Sequence, residues 1–248
     1  MTISDRHRKI LEELREKPDI TVKELAKRLF VSEPTVRRDF TELEKRGMLK
    51  KIYGGAILHT GAADREIPFL FRENEKSSVK ARIGAQAAKL VKDGSVLMLD
   101  GSTTAFHLVP YLAGKKDLIV ITSGAKTAVA LAEANIRVFC TGGQMLIHSF
   151  SYVGKSAEDF LRGINADLLF FSCHGVDDLG QMSDLSVEEA NLRRVMFERC
   201  REKYLLCDSG KFGKTCFYNM GNVAELDGIL SEKPIPPEIA RHMRHEKT

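Results

Sequence analysis

The sequence predicts an α/β protein in two parts: a short helical N-terminal region closed by a β-hairpin, then a doubly wound, mostly parallel α/β domain. Three observations carry that prediction. Three apolar-periodic segments lie between residues 7 and 46 and run into an alternating stretch that ends in Gly54-Gly55-Ala56. From about residue 95 onward, strand-length apolar runs alternate with helical patterns. The charge is divided in the same way. Residues 1–60 hold 14 Lys and Arg against 10 Asp and Glu, whereas residues 61–248 hold 24 of each. The net charge of +4 therefore sits wholly in the first quarter of the chain. A basic end on a neutral body points to a polyanion, most often nucleic acid. Such an excess is common over sixty residues, so it gains meaning only from the elements that carry it.

The first helix is read from His7, Ile10, Leu11 and Leu14, with Pro18-Asp19 as its stop. Thr21 is placed to cap a second helix whose apolar face is Val22, Leu25, Ala26 and Leu29. After Phe30-Val31, Ser32 caps a third helix over residues 33–46, with Pro34 in its first turn, where a missing N–H costs little. Val36, Phe40 and Leu43 form its buried stripe, and Gly47 is its stop. Two helices across a tight turn, with a third in front, make a helix-turn-helix. Residues 48–56 then alternate apolar and basic side chains into a Gly-Gly turn, the hairpin of a winged helix.

With Val36, Phe40 and Leu43 turned inward, Thr35, Arg37, Arg38 and Thr41 face outward from the part of the helix that enters a major groove. Arginine can bridge guanine O6 and N7 or clamp a phosphate. Lys50 and Lys51 approach the backbone from the wing, and Asp39 either orients an arginine or helps close the domain. The competing reading is a charged helical bundle that binds another protein.

Residues 58–74 lack clear periodicity and read as a linker, leading to a helix near 75–91. The domains are thus 1–57, 58–74 and 75–248. Strand-like runs follow at 95–100, 118–122, 137–141, 167–173, 204–208 and 227–230, with helical patterns at 103–112, 125–133, 155–162 and 187–203. Continuous apolar strands alternating with helices imply a parallel sheet covered on both faces, which binds ligands at the carboxyl ends of its strands.

Polar residues and glycines gather at those ends. Asp100-Gly101-Ser102-Thr103-Thr104 leads into a helix, where N–H and O–H donors suit an anion. Further ends are Thr122-Ser123-Gly124, Thr141-Gly142-Gly143, Cys173-His174-Gly175-Val176-Asp177 and Asp208-Ser209-Gly210-Lys211. One such end is ordinary turn chemistry. Five on one rim form a coherent set: donors and Lys211 for a phosphate, and Asp100, Glu189 and Asp208 for sugar hydroxyls.

These motifs resemble the DeoR family of transcriptional regulators. The family's S-x-x-T-[IV]-R-R-D recognition helix is matched by Ser32, Thr35, Val36, Arg37, Arg38 and Asp39, and its G-G-A wing by Gly54-Gly55-Ala56, with Tyr53 where many members have His. The family's sensor motifs appear in order as residues 100–104, Thr141-Gly142-Gly143, Glu189-Ala190 and 208–212. The family's T-N-S is here Thr122-Ser123-Gly124. The resemblance covers nearly the whole chain. It implies a sensor domain similar to ribose-5-phosphate isomerase and glucosamine-6-phosphate deaminase folds, with phosphorylated sugars or related metabolites as effectors. By this resemblance and the pattern above, the expected DNA-binding residues are Ser32, Thr35, Arg37, Arg38, Lys50, Lys51, Tyr53 and Gly54. The expected effector-binding residues are Asp100, Gly101, Ser102, Thr103, Thr104, Thr122, Ser123, Thr141, Gly142, Gly143, Glu189, Asp208 and Lys211.

The function expected is therefore that of a double-stranded DNA-binding regulator, a repressor of a sugar operon, whose operator affinity changes with a bound sugar phosphate. An enzyme reading has Asp100, Asp208 or Glu189 as base and Lys211 stabilising an enediolate. No paired acid and base at fixed spacing supports it. One winged helix reads only a few base pairs, so a homodimer or homotetramer is expected. The five cysteines lack CxxC spacing, and no ligand set fits zinc, so neither metal nor cofactor is expected. Cys140 and Cys207 read as buried thiols in strands, as in a reducing cytoplasm. Residues 1–17 are charged throughout, unlike a signal peptide, and no apolar run approaches the ~20 residues of a membrane span. His148 and the tail 234–248 carry no firm functional reading.

Overall fold

The computed structural model describes residues 3–17, 20–46, 48–58 and 68–243. It divides into two compact units, Met1–Phe71 and Arg72–Thr248.

In the first unit, α1 (Ile3–Glu16), α2 (Val22–Leu29) and α3 (Glu33–Lys45) precede a hairpin of β1 (Leu49–Ile52) and β2 (Gly55–Leu58). The helix starts follow the capping residues. Thr21 Oγ1 accepts from Glu24 N at 3.2 Å while the Glu24 carboxylate accepts from Thr21 N at 3.0 Å. That backbone bond, helped by Lys17, holds the Glu24 carboxyl down to about 2. Ser32 caps α3, and Pro34 lies in its first turn. The three helices bury Ile10, Leu14, Leu25, Val36, Phe40 and Leu43 in one core with Leu49 and Ala56 of the hairpin. The hairpin turn needs a positive φ, which Gly54 supplies at +81°. The Gly54 carbonyl then accepts from Val22 N at 2.9 Å, tying the wing to α2. The stop signals read at Pro18-Asp19 and Gly47 lie outside the described residues.

The segment read as a linker holds the end of β2 and, farther on, α4 (Phe69–Asn74); residues 59–67 lie outside the described residues. In the second unit the chain continues through α5 (Ser77–Ala88), β3 (Val96–Leu99), α6 (Thr103–Phe106), β4 (Ile119–Thr122), α7 (Ala125–Glu133) and β5 (Arg137–Cys140). Then come β6 (Gln144–Leu146), β7 (Ser151–Val153), α8 (Lys155–Arg162), β8 (Ala166–Phe171), β9 (Gly175–Val176) and β10 (Gln181–Asp184). The unit closes with α9 (Val187–Arg199), β11 (Cys200–Leu206), β12 (Tyr218–Asn222), β13 (Gly228–Leu230) and α10 (Pro237–Ala240).

Six strands form one sheet in the order β13-β11-β8-β3-β4-β5, every pair parallel. Its two faces follow from the period of two along each strand. Met98, Ile121, Leu169, Phe171 and Leu205 pack with α8 and α9, while Leu97, Leu99, Val120, Phe170 and Leu206 pack with α5, α6 and α7. Burying each such side chain is worth roughly 1.5–3 kcal/mol, which makes both coverings necessary.

Three expectations need correction. The helix read over 103–112 ends at Phe106, because Pro110 cannot donate to the Phe106 carbonyl and its ring clashes there; a 3-10 turn at Val109–Tyr111 replaces the last turn. The helix read over 187–203 ends at Arg199, and β11 begins at Cys200, opposite Ala166 of β8. Cys140 is exposed rather than buried, because β5 is an edge strand. The antiparallel elements, β12-β10-β9 and the β6-β7 hairpin, escaped the alternating pattern. Among the described residues no helix is long and apolar enough to cross a membrane, and no group of three or more His, Cys, Asp or Glu could hold a metal ion.

Candidate functional site

On the first unit, α3 and the wing carry the residues expected at DNA. Arg37, Arg38, Lys50, Lys51, Tyr53 and Gly54 are exposed, and Thr35 is half-buried. The side chains differ in what already holds them. Ser32 Oγ serves as the helix cap and lies 2.8 Å from Thr35 Oγ1. Arg37 approaches Glu33 at 3.4 Å, and Lys51 bonds Thr41 Oγ1 at 3.2 Å and pairs with Glu44 at 3.0 Å. Arg38 and Lys50 have no ion-pair partner among the described residues, so their charges are available without breaking a contact.

Asp39 answers the question the sequence left open. It points inward and is 3 % exposed. Arg6 of α1 donates to its two oxygens at 2.5 and 2.8 Å, and His7 Nε2 lies 3.0 Å from Oδ1. The two-toothed Arg6 pair fixes orientation as well as distance. Asp39 thus locks the reading helix to α1 and leaves Arg37 and Arg38 on the opposite side.

On the second unit, the parallel sheet brings the ends of β3, β4, β5, β8 and β11 to one rim. The loops there are packed tightly. A Cβ on Gly101 would lie 2.2 Å from Ser151 Oγ, and one on Gly124 would lie 3.1 Å from the Gly101 Cα. Thr122 Oγ1 accepts from Gly124 N at 3.0 Å, and Ser151 Oγ lies 3.5 Å from Ser123 Oγ. Gly143 turns at φ +104° against the carbonyl of Val153, and Thr141 Oγ1 bonds the Gly142 carbonyl at 3.3 Å. Ser102 Oγ caps the four-residue α6 through Ala105 N at 3.1 Å. The N–H groups of Thr103 and Thr104 come first in that helix and so have no intrahelical acceptor.

The three carboxylates of the rim are all occupied. Asp100 accepts from Ser102 N and Ser172 N, each at 3.1 Å, and from Arg193 Nε at 2.8 Å. Arg193, fully enclosed, also bonds Asp184 at 2.8 Å and lies 3.7 Å from Glu189. Burial works against that guanidinium, but Asp184, Asp100 and Glu189 outweigh it and hold its proton more tightly than usual. Asp184 in turn accepts from His174 Nδ1 at 2.8 Å. Burial pushes the Asp184 carboxyl up, yet Arg193 and His174 hold it well below the usual range. At the other end of the rim, Asp208 meets Lys76 at 2.5 Å and lies 3.9 Å from Lys211, whose ammonium bonds Ser172 Oγ at 2.8 Å. There too the lysines outweigh burial and lower the carboxyl.

The sequence reading placed His174 on this rim without a role, and missed Arg193, Asp184, Ser172, Ser151 and Lys76 as parts of it. Only Arg193 had a local signal, its i, i+4 spacing from Glu189. The others are brought together by elements distant in the sequence. A separate cleft of about 560 Å³ opens at the opposite, amino ends of β3, β8 and β11, between Lys89, Asp93, Asp167 and Arg201. It stands away from the end at which open parallel sheets take ligands.

A family model described as the DeoR-like helix-turn-helix domain matches residues 6–61, and one described as the DeoR C terminal sensor domain matches residues 75–233. The chain is 34% identical over its full length to YulB of Bacillus subtilis (strain 168), an HTH-type transcriptional regulator, covering 95% of that protein. It is 25% identical to the glycerol-3-phosphate regulon repressor of Escherichia coli (strain K12), over 96% of this chain and 94% of that one. Ribose 5-phosphate isomerase A of Methanocaldococcus jannaschii overlaps 55% of this chain and 54% of its own, at 16% identity and a TM-score of 0.42. With two domain matches in sequence order and a full-length relative, the chain belongs to the DeoR family of transcriptional regulators.

Proposed function

We propose that this regulator binds a double-stranded operator as a homodimer or homotetramer, represses a sugar-metabolism operon, and releases or tightens its hold when a phosphorylated sugar or related metabolite occupies the rim. In this reading residues 1–57 read DNA, residues 58–74 transmit, and residues 75–248 sense. The observation that carries it is Arg38, exposed on α3 with no ion-pair partner among the described residues, together with the exposed Lys50 of the wing. Arg38 is placed for a guanine edge or a phosphate, and Lys50 for the backbone. Thr35, Arg37, Lys51, Tyr53 and Gly54 extend the same surface.

At the rim, the hydroxyls and N–H groups of residues 101–104, with Ser123 and the Thr141-Gly142-Gly143 turn, supply donors, and Lys211 supplies a cation. Asp100 acts by holding this loop in place, since its own oxygens are already bonded. The Escherichia coli relative, named for glycerol-3-phosphate, is named for a phosphate ester, which supports a phosphorylated effector. Tenfold modulation of operator affinity needs only about 1.4 kcal/mol of differential binding between two states. No catalysis is proposed, because neither Asp100 nor Asp208 is placed as an unpaired base.

The test is a fluorescence-anisotropy titration of the full chain against DNA from upstream of its own gene, repeated with a panel of sugar phosphates. Saturable, sequence-dependent binding that shifts with one member of the panel is expected. Absence of specific binding at every salt concentration, with and without sugar phosphates, overturns the reading.

A further inference from the structure

Helix α5 brings one more lysine to the Asp208 end of the rim. Lys80 follows Lys76 by one turn and is only 5 % exposed. Its ammonium donates to the main-chain carbonyl of Arg72. It forms no ion pair with a carboxylate among the described residues.

Four charged groups act on Lys80 from the segments around it. Lys211 faces it from the turn after β11, Arg72 from α4, Glu75 from the turn before α5, and Asp208 from the end of β11. His107, after α6, also feels its charge. The contact with α6 is close: a Cβ on Gly84, one turn beyond Lys80, would lie 2.4 Å from the His107 carbonyl. His107 Nδ1 in turn lies 2.8 Å from the Thr103 carbonyl, at the end of the hydroxyl loop. Three ammonium groups, Lys76, Lys80 and Lys211, therefore converge where Asp208 is the one carboxylate within pairing distance of any of them among the described residues.

A buried ammonium without a paired acid is costly, and the Arg72 carbonyl relieves that cost only in part. Burial, with Lys211 adding repulsion, pushes Lys80 down to about 7. Structural cations elsewhere in the unit are treated differently: Arg193 is just as deeply buried and touches three acids.

Resting on the reading of the rim as a phosphorylated-effector site, we infer that Lys80 is its incomplete ion pair: the dianionic head of the ligand supplies the missing counter-charge, and binding draws a proton onto Lys80. The ligand class is a phosphate monoester or another compact dianion. A neutral sugar cannot charge Lys80 and gains nothing from it. Linkage gives the sign. Above neutral pH the empty site holds a neutral amine, so binding must take up a proton, and affinity weakens about tenfold per pH unit there.

Sulfate and inorganic phosphate are the probes, and the full chain is the sample. Sulfate stays dianionic from pH 6 to 9, so any pH dependence of its binding belongs to the protein. Calorimetric titrations in two buffers of different protonation enthalpy count protons directly. We expect close to one proton taken up per sulfate at pH 8, and a dissociation constant that climbs about tenfold per unit above pH 7. Lys80→Arg should bind sulfate without uptake and without that slope, because a guanidinium stays charged. Lys80→Met should bind at least tenfold more weakly at pH 6.5. Wild-type binding without proton uptake, or a wild-type slope retained in Lys80→Met, overturns the inference and leaves the rim reading standing. If neither anion nor any sugar phosphate binds the wild type, both fall. The proton count on the wild type decides even where a variant fails to fold.

Discussion

The two units of this protein treat buried charge in opposite ways. In the DNA-reading unit Asp39, the one buried acid among the described residues, is met by Arg6 through both oxygens and by His7. Arg38 and Lys50, which have no ion-pair partner among the described residues, stand outside in water. In the sensor unit, Arg193 is enclosed with Asp100, Asp184 and Glu189, yet Lys80 is enclosed with no acid paired to it among the described residues. Paired buried charges hold elements in register, whereas an unpaired one marks a place where a counter-charge is still to arrive. The units thus keep their binding charge differently: the reader on its surface, where salt screens it, and the sensor inside, where only a fitted ligand reaches it.

The largest effect that can test this contrast is at Arg193. Arg193→Met leaves Asp100 and Asp184 buried and close together, and breaking a buried ion pair from one side costs about 3–5 kcal/mol. Urea unfolding of the sensor transition should show that loss, together with lost effector response. The corresponding change in the reader is Asp39→Ala, which strands Arg6 and His7. Arg6 is partly open to water, so a smaller loss of about 2–3 kcal/mol is expected. It should appear as an early melting step with weakened DNA binding. If Asp39→Ala melts like the wild type, the pairing with Arg6 and His7 is not what docks α3 on α1.

Lys80 should respond in the opposite direction. Its pKa of about 7 in the folded state lies below the ordinary 10.5. Between those values the unfolded chain binds more protons than the folded one, so stability rises with pH across that window. The penalty is fully present below pH 7 and disappears by about pH 10.5. Lys80→Met removes it, and in anion-free buffer at pH 7 the variant should be more stable by roughly 1–3 kcal/mol, a gain that shrinks as pH rises. Thermal melts at pH 7, 8.5 and 10 check this. A variant less stable than wild type at pH 7 would mean that Lys80 is a structural donor to the Arg72 carbonyl.

Local chemistry made much of this legible in the sequence. The caps at Thr21 and Ser32, the stripe Val36, Phe40 and Leu43, and the glycine turn of the wing depend on neighbours within a few residues, and each occurs as read. The strand ends were legible for the same reason, because a strand followed by Gly, Ser or Thr turns carries its own signal. What the sequence could not show is what each charged residue is spent on. Asp39 meets Arg6 and His7 across about thirty residues, Asp100 meets Arg193 across 93 residues, and Lys76 meets Asp208 across 132. No periodicity encodes such pairings, so Asp100 read as a ligand for sugar hydroxyls and Lys80 drew no reading at all. Cys140 was misjudged because edge and interior strands have similar apolar runs, and only the strand order separates them.

The smallest effect falls on the surface cations, and it discriminates between two adjacent arginines. Arg38→Ala removes a side chain with no ion-pair partner, so folding stability should change by less than about 0.5 kcal/mol. Operator affinity should fall by about 1–3 kcal/mol if Arg38 meets a base edge, with specificity relaxed at that base. If it meets a phosphate, affinity should fall evenly across sequences, and the slope of log K against log salt should drop by about 0.9. Arg37 is shared with Glu33 at 3.4 Å, so binding DNA must first loosen that contact, and Arg37→Ala should cost less than Arg38→Ala. Anisotropy titrations across a salt series on both variants measure the difference. A larger loss at Arg37, or equal slopes in both variants and the wild type, would break the link drawn here between an unpaired surface charge and the charge that meets DNA.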